Sequence, residues 1–328
     1  MTTKAESGTL ATRAGSWLVS SVAASRRSRW VPSALAGIWF MVVAWLLRTR
    51  AFRGFDPPIV SEDGVVLAGG LRASNMNTML LLRGVYEPAL TELVRATVRP
   101  GDVCVDLGAN VGWFAIAMAR ATGPTGTVFA IEAAPGNVEC LRGNVTANGL
   151  DDIVEVVGAA VAEAPGQVAF HVHKTNDLLC RLELPTKQDP EYWWLHHWMK
   201  PSMWRRVTVP ADSLPCLVRG RAADVTMLKI DVEGLEATVC RDLLDHFTHP
   251  ELTVAVEITV RSIPAVAEIF ETAGFRAFDL RNDYAWVSQE GPVEPPVELT
   301  YDELRSKKHQ VDVVFTRARV PVASRQGS

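Results

Sequence analysis

The chain has 328 residues, of which 48% are hydrophobic and 21% are charged, and this composition excludes a largely disordered or low-complexity protein. The formal net charge of −4 disfavours a nucleic-acid partner, because proteins that bind the DNA or RNA backbone usually carry a basic excess. The five cysteines are widely spaced and form no CxxC pair, so we expect no disulfide framework, no structural zinc site and a cytoplasmic location.

The first 56 residues are basic and contain an apolar segment. Eight basic and two acidic residues give this leader a charge of +6, so the remaining chain carries −10. Such an asymmetry is typical of contact with an acidic partner or a membrane surface, which we assign to residues 26–53. Residues 30–47 are uncharged, and their length is near the lower limit of the ~17–25 residues that span a bilayer.

Three interpretations of residues 30–47 are open. The segment is a membrane anchor, a hydrophobic helix that packs on the rest of the protein, or a secretory signal. The third interpretation is disfavoured because no A-x-A-like cleavage site follows Leu47. The predicted location is therefore the cytoplasm, and membrane attachment through this segment is the alternative to a packed helix.

Strands and helices alternate through most of the remaining chain. After two short extended runs at 59–60 and 65–71, a helix begins near Pro88 and a turn follows at Pro100-Gly101. Strands are then predicted at 103–107, 127–132, 153–158, 225–231, 252–258, 275–280 and 311–317, and helices at 112–120, 136–148, 235–246 and 263–273. This alternation indicates right-handed βαβ units and a mostly parallel sheet, which is the α/β fold class.

The pattern changes after Ala160. Alternating residues at 166–174 and 206–212 predict two antiparallel strands, and the aromatic segment 191–206 lies between them. We expect an insert at this point to overhang the carboxyl edge of the sheet, where aromatic rings bind sugar rings or apolar chains and exclude water. The alternative is a surface helix whose tryptophans pack on the core. The candidate lid residues are Trp194, His197 and Trp198.

These patterns divide the chain into three parts. The leader covers residues 1–56, the main domain covers 57–319 with an insert near 165–215, and a polar tail covers 320–328. We expect the tail to be loosely ordered, as chain termini commonly are.

The first candidate site motif follows the predicted strand 103–107 and reads DLGANVG, from Asp106 to Gly112. Glycine lets a ligand approach the backbone, and the following helix offers unpaired N–H groups. The spacing Gly-x-x-x-Gly differs from the Gly-x-Gly-x-x-Gly of dinucleotide sites, and Asp106 would repel a pyrophosphate. The motif therefore favours a cationic ligand, and the alternative is an ordinary strand-to-helix turn.

Three further acids end predicted strands. Glu132 ends the strand after the glycine motif, where a carboxylate binds ribose hydroxyls; the alternative is an exposed acid. Asp231 and Glu257 end two later strands, and the carboxyl ends of parallel strands meet at one edge of the sheet. Together with Asp106 they need a compensating cation, which a ligand with a sulfonium and an ammonium supplies. Helix capping by Asp231 or Glu233 explains one of the acids but not the set.

Four segments carry a resemblance to a known family: GDVCVDLGANVGWFAIAMA, EAAPGNVECLRGNVTANGL, VTVPADSL and LKIDVEGLEATV. Together they resemble the FkbM-type family of S-adenosylmethionine-dependent methyltransferases, from residue 84 to residue 317. The resemblance implies a class I, Rossmann-like fold with a seven-stranded, mostly parallel sheet and a reversed last strand, here behind a hydrophobic helical leader. The sequence departs from the family pattern at Glu-Ala-Ala-Pro (132–135) and Pro-Ala-Asp (210–212), and the tryptophan-rich insert and the hydrophobic leader are unlike a minimal family member. These departures affect what the resemblance implies for the substrate, but not what it implies for the cofactor.

The resemblance implies that the protein is an enzyme and that its cofactor is S-adenosylmethionine. It also implies a small-molecule acceptor with a hydroxyl group, on a sugar, a glycolipid or another natural product. The cofactor-binding candidates are Glu87, Asp106, Gly108, Asn110, Gly112, Glu132, Asp152 and Ala160. Asp231 is the first candidate for the base that accepts the hydroxyl proton, followed by Glu233 and Glu257. No metal is expected, since no metal-ligand spacing demands one.

The same residues are compatible with two other functions. One is a membrane-tethered binding protein that kept this fold without catalytic activity, and the intact glycines and acids at the strand ends disfavour it. The other is a dinucleotide-dependent oxidoreductase, which is disfavoured because the sequence lacks a Gly-x-Gly-x-x-Gly motif at the first strand.

Overall fold

The computed structural model describes residues 10–27, 31, 33–52, 55, 57, 59–61, 63–71, 73–174, 180–182, 203–232, 234–281 and 293–318. The described chain forms two compact units, one up to Pro88 and the other from Ala89 onward. The first unit therefore extends beyond residue 56, where the sequence pattern places the end of the leader.

Helices make up most of the first unit. Its elements are α1 (Leu10–Arg27), α2 (Ser33–Arg48), a 3₁₀ turn at Arg50–Phe52, the strands β1 (Ile59–Val60) and β2 (Val66–Leu67), and α3 (Asn75–Arg83). The predicted apolar segment coincides with α2, and Arg48 at its end donates to the carbonyl of Ser74 at 3.0 Å and to the Thr78 hydroxyl at 3.3 Å. These bonds tie the leader to the residues beyond it. Among the described residues, no helix combines the length and the apolar composition needed to cross a bilayer.

The second unit contains the predicted alternation of strands and helices. Its strands are β3 (Val103–Leu107), β4 (Thr127–Glu132), β5 (Val154–Gly158), β6 (Ala160–Val161), β7 (Gly166–His173), β8 (Trp204–Asp212), β9 (Val225–Ile230), β10 (Thr253–Ile258), β11 (Arg276–Asp279), β12 (Val297–Leu299) and β13 (Val311–Thr316). Its helices are α4 (Pro88–Thr97), α5 (Trp113–Thr122), α6 (Pro135–Ala147), α7 (Leu214–Leu217), α8 (Glu236–His246), α9 (Ile263–Thr272) and α10 (Tyr301–Ser306). The predicted strands of the sheet agree closely with these bounds.

The large sheet confirms the predicted fold class. Its strands are ordered β12-β11-β13-β10-β9-β3-β4-β5, and the run from β10 to β5 is parallel. The last strand, β13, is antiparallel to both β10 and β11, which is the reversed strand that the resemblance implies. An eighth strand, β12, pairs with β11 at the edge of the sheet, where the sequence analysis predicts no strand.

Buried apolar side chains fill the core around the large sheet. All five residues of β3 are buried, as expected for a parallel strand that helices cover on both faces. The ring of Phe315 on β13 stacks on the ring of Phe270 on α9, with the ring centroids 4.0 Å apart. Because such a core is close-packed, the strand ends that project from it form a rigid base for a site.

A separate three-stranded sheet follows the strands β3–β5 in the chain. Strand β7 pairs antiparallel with β8, as predicted, and β6 pairs parallel with β8. Phe170 of β7 and Val209 of β8 pack in one apolar cluster with Ala134 and Ala160. Since Ala134 comes directly after β4, this cluster places the small sheet at the carboxyl end of β4.

The predicted lid lies outside the described residues. Residues 175–179 and 183–202 are not described, and they include Trp194, His197 and Trp198. A role of these three side chains in acceptor binding therefore stays a prediction.

Candidate functional site

A cleft opens at the carboxyl ends of β3, β4 and β9. The chain passes from β3 to β4 on one side and reaches β9 on the other, so the strand order reverses at β3. Ligands of open α/β sheets bind in crevices at such reversal points. The cleft thus joins the glycine motif, the acid at the end of β4 and the acid after β9. It is lined by Leu107, Gly108, Asn110, Ile131, Glu132, Ala133, Asn137, Ala159, Ala160, Val161, Phe170, Cys180, Arg181, Leu182, Asp231, Val232 and Leu235.

The turn between β3 and α5 forms one wall of the cleft. The N–H groups of Gly108 and Ala109 both donate to the carbonyl of Ile131 at 2.9 Å, which holds the turn against β4. Gly108 has a φ of 78°, a left-handed value that favours glycine. A side chain on Gly108 would also place its Cβ only 1.9 Å from the backbone oxygen of Asp231. Glycine is therefore required here both for the backbone conformation and for the close approach of two loops.

We expect Gly108→Ala to destabilise the protein and to displace Asp231. The left-handed backbone alone costs about 1–3 kcal/mol for a non-glycine residue, and the contact with Asp231 adds to this cost. Chemical denaturation measures the change in the free energy of unfolding. Gly166→Ala is the matched control, because no described atom lies within 4 Å of its added Cβ, and it should change stability by less than about 0.5 kcal/mol. Equal effects of the two substitutions would contradict the close approach at Gly108.

Glu132 is buried at the end of β4 and connects two loops of the cleft. Its Oε2 accepts a hydrogen bond from the N–H of Asn110 at 2.8 Å, and its Oε1 accepts one from the N–H of Ala134 at 2.7 Å. Each carboxylate oxygen accepts up to two hydrogen bonds, so both have capacity for a ligand hydroxyl. Burial raises the pKa of Glu132 to about 7, although the N–H groups of Ala134 and Asn110 oppose this shift. The carboxyl group is therefore fixed in place and titrates near neutral pH.

A buried lysine lies between two of the predicted acids. Lys229 and Asp106 are partners in the register of β9 and β3, and Nζ of Lys229 lies 3.4 Å from Oδ1 of Asp106. The same Nζ lies 3.2 Å from Oδ2 of Asp231 and 3.4 Å from the carbonyl oxygen of Gly108. The centroid of the Phe114 ring is 5.2 Å away, within the range of a cation–π contact. Lys229 therefore links the glycine turn to the loop after β9 through one charged group.

Asp106 is fully buried and does not line the cleft. Burial raises the pKa of its carboxyl group, and the neighbouring Lys229 opposes that shift. The sequence pattern predicts that a cationic ligand compensates the acids at this edge; in the structure, Lys229 provides part of the compensation. The signal that reveals this residue in the sequence is the single charge within the strand VTMLKI.

Asp231 presents its carboxylate to the cleft from the loop after β9. Its N–H donates to the carbonyl of Leu107 at 3.0 Å, and its side chain is one-third exposed. The carboxylate is thus held by Lys229 on one side and is open to a ligand on the other. A carboxylate in this position can accept the proton of a bound hydroxyl group.

The residues that line this cleft lie in a part of the chain that matches a known protein family. Residues 106–277 match the family described as the methyltransferase FkbM domain, and this range is more than half of the chain. The chain belongs to the FkbM family of methyltransferases. The resemblance of its sequence motifs to that family is confirmed, and its activity is methyl transfer from S-adenosylmethionine.

Solved methyltransferase structures are similar to this FkbM family member at low sequence identity. Methyltransferase FkbM from Methylobacillus flagellatus KT is 12% identical, with 89% of this chain and 62% of that chain covered and a TM-score of 0.38. Precorrin-6y C5,15-methyltransferase from Geobacter metallireducens GS-15 is 14% identical, with 70% and 89% covered and a TM-score of 0.38. A SAM-dependent O-methyltransferase from Thermotoga maritima is 14% identical, with 72% and 67% covered and a TM-score of 0.37. These similarities do not identify an acceptor, and no curated protein matches the chain.

The FkbM domain brings several of the predicted site residues together. Those that line the cleft are Gly108, Asn110, Glu132, Ala160 and Asp231. Gly112 lies nearby as the N-cap of α5, with a φ of 95°. A Cβ on Gly112 would lie 2.4 Å from Cδ1 of Leu141, so this glycine serves the packing of α5 against α6.

Other predicted residues lie elsewhere. Asp152 lies in the turn before β5 and lines a groove at the amino ends of β4 and β5. Strands β4 and β5 are parallel, so their amino ends lie at the edge of the sheet opposite the cleft. Glu87 belongs to the first unit. Glu257, near the end of β10, accepts a hydrogen bond from the side chain of Gln310 and does not line the cleft. Glu233 lies outside the described residues and stays a candidate base.

Several residues that line the cleft have no counterpart among the predicted site residues, and they include an amide, an aromatic ring and a guanidinium group. Asn137 lies in the first turn of α6, Phe170 lies on β7, and Arg181 lies in a short segment that pairs with β7. The N–H of Arg181 donates to the carbonyl of His171 at 3.0 Å, and its carbonyl accepts from the N–H of His171 at 2.8 Å. These bonds bring a buried cation to the cleft. Phe170 and Arg181 lie outside the motif segments of the sequence, whereas Asn137 lies within the segment EAAPGNVECLRGNVTANGL. Within the described ranges, no group of three or more His, Cys, Asp or Glu side chains is arranged to hold a metal ion.

Proposed function

We propose that this FkbM methyltransferase transfers the methyl group to a hydroxyl oxygen of a small molecule. We expect the acceptor to be a sugar, a glycolipid or another natural product. The observation that supports O-methylation is the carboxylate of Asp231, which Lys229 holds at the edge of the cleft. We place the reaction in the cytoplasm, where free thiols such as those of the five cysteines persist.

The residues of the cleft suit S-adenosylmethionine. Glu132 offers two buried carboxylate oxygens to the hydroxyls of a ribose, and the N–H groups that fix it leave an acceptor position on each oxygen. Gly108 lets the turn after β3 pack directly against the backbone of Asp231, which brings both sides of the cleft together around a ligand. Ala133, Ala160 and Phe170 add an apolar wall that suits a purine.

The protein then has two chemical tasks in the reaction. When bound, S-adenosylmethionine supplies a methyl group on a sulfonium, and the electrons of the breaking carbon–sulfur bond stay on sulfur. The first task is to align the acceptor oxygen with this methyl group, and such alignment is a large part of catalysis. The second is to accept the hydroxyl proton as the new oxygen–carbon bond forms, which we assign to Asp231. Lys229 fixes the orientation of that carboxylate.

Transfer of a labelled methyl group tests the proposal. The purified enzyme is incubated with methyl-labelled S-adenosylmethionine and fractionated cell extract, and the labelled product is identified by its mass and by the chemical shift of the methyl carbon. We expect the label on an oxygen of a small molecule. A label on nitrogen or carbon, or on protein alone, would contradict O-methylation of a small molecule.

The raised pKa of Glu132 predicts a pH-dependent affinity for S-adenosylhomocysteine, the product form of the cofactor. Ribose hydroxyls donate to the ionised carboxylate, so binding favours the deprotonated form and weakens as the pH falls through about 7. Below that pH, the dissociation constant should rise by up to about tenfold per pH unit. Calorimetric titration at several pH values measures this slope. The slope should disappear in Glu132→Gln, and an unchanged slope in that variant would assign the titration to another residue.

A further inference from the structure

The outer face of α2 is apolar and exposed. Its residues recur at helical spacing, and the two most exposed, Met41 and Trp45, are 64% and 68% exposed. A helix that is apolar all round is normally buried on all sides. We call the exposed side the leader face; its residues are Leu35, Ile38, Met41, Val42 and Trp45. The opposite side of α2 is also apolar but buried, through Ala36, Phe40, Val43 and Leu47.

The leader face is part of the main exposed apolar surface of the described chain. Eight large hydrophobic side chains are exposed among the described residues, and six of them lie on α1 and α2. The two helices are packed together, since Nε1 of Trp39 on α2 donates to the Ser21 hydroxyl on α1 at 3.0 Å. Large exposed apolar patches mark contacts with a membrane or with another protein. The leader face is therefore a candidate binding surface.

The chain around the leader face is strongly basic. Seven arginines and no acidic residue lie between Glu6 and Asp56. Among the described residues, Arg13 on α1 and Arg50 after α2 are exposed. A second copy of the chain would bring the same positive charge to the interface, and like charges oppose association. Anionic lipid headgroups would instead attract these arginines.

We propose that the leader face binds the surface of a bilayer that contains anionic lipids. With 16 residues, α2 is about 24 Å long, less than the ~30 Å hydrocarbon core, which favours a helix that lies in the plane of the interface. Trp45 suits the headgroup region, where tryptophan is enriched. Burial of the apolar face and attraction of the arginines to the headgroups then act together. This inference does not depend on the identity of the methyl acceptor.

Co-sedimentation of the full chain with lipid vesicles tests the proposal. We expect binding to vesicles of phosphatidylcholine with phosphatidylserine, weaker binding to phosphatidylcholine alone, and loss of this difference at high salt. Met41→Gln combined with Trp45→Gln should weaken binding to the anionic vesicles by more than about tenfold, because two apolar side chains no longer enter the interface. Val293→Gln is the matched control, since it removes an exposed apolar side chain outside the leader.

Two results would overturn the proposal. One is a wild-type protein that does not bind anionic vesicles, and the other is binding that the double substitution leaves unchanged in a folded protein. Light scattering of the wild type and the double variant in solution tests whether a second copy of the chain binds the leader face instead. If the wild type fails to bind vesicles and forms a dimer that the double substitution dissociates, the leader face is a self-association surface.

Discussion

Replacing Lys229 with methionine should lower the free energy of unfolding by about 3–5 kcal/mol. Lys229 and Asp106 are both buried, and their charged groups lie 3.4 Å apart. Without the lysine, the carboxylate of Asp106 loses the cation beside it, and the free-energy cost of its desolvation is no longer offset. Methionine keeps most of the length of the side chain, so the decrease in the free energy of unfolding reflects mainly the removed charge. Urea denaturation near neutral pH measures it.

Two further variants separate the buried ion pair from the effects of side-chain packing. Lys307→Met removes a more exposed lysine, whose Nζ lies 2.6 Å from Asp279, and it should cost less than about 1 kcal/mol. Adding Asp106→Asn to Lys229→Met should recover part of the lost stability, because the unpaired buried charge is then absent. If Lys229→Met is as stable as Lys307→Met, the buried pair does not stabilise the fold.

Asp231→Asn should keep the fold and the cofactor affinity but lower kcat by about 10²–10⁴-fold. The amide has nearly the same shape as the carboxylate, but it does not take up the proton of an attacking hydroxyl. Steady-state kinetics with the acceptor found in the labelling experiment measure kcat, and calorimetry with S-adenosylhomocysteine measures cofactor affinity. A loss of kcat with unchanged cofactor affinity is the signature of a catalytic base.

Glu257→Gln is the matched control for this catalytic role. Glu257 lies near the end of the strand next to β9 but does not line the cleft, so the variant should turn over at close to the wild-type rate. If Asp231→Asn retains near wild-type turnover, Asp231 has a structural role. Glu233, which lies outside the described residues, would then be the next candidate for the base.

The large sheet is predictable from the sequence because buried parallel strands leave a strong signal. The runs VCVDL and TVFAIE are mostly apolar, and the observed strands β3 and β4 begin and end with them. An acid within or at the end of such a run stands out, which is why Asp106 and Glu132 are recognisable as candidates. Strand β12 leaves no comparable signal, since it has three residues and follows two prolines.

The charge arrangement in the cleft is much harder to predict. Asp106 and Asp231 are visible as acids near strand ends, but the position of Lys229 between them depends on the register of β3 with β9, which lie far apart in the chain. Asp152 shows a related difficulty. Its closeness in sequence to a strand of the sheet suggests a place near the ligand, but it precedes that strand and therefore lies at the amino edge.

Calorimetric titration of S-adenosylhomocysteine into the wild type and into Glu132→Ala decides whether the cleft at β3, β4 and β9 is the cofactor site. Loss of the hydrogen bonds between the carboxylate and the ribose costs about 1.5–3 kcal/mol, so the variant should bind more than about tenfold more weakly. Glu298→Ala, which removes an exposed acid on β12, should bind like the wild type, and NAD should bind to none of the three proteins. Unchanged affinity for S-adenosylhomocysteine in a folded Glu132→Ala protein would contradict this assignment.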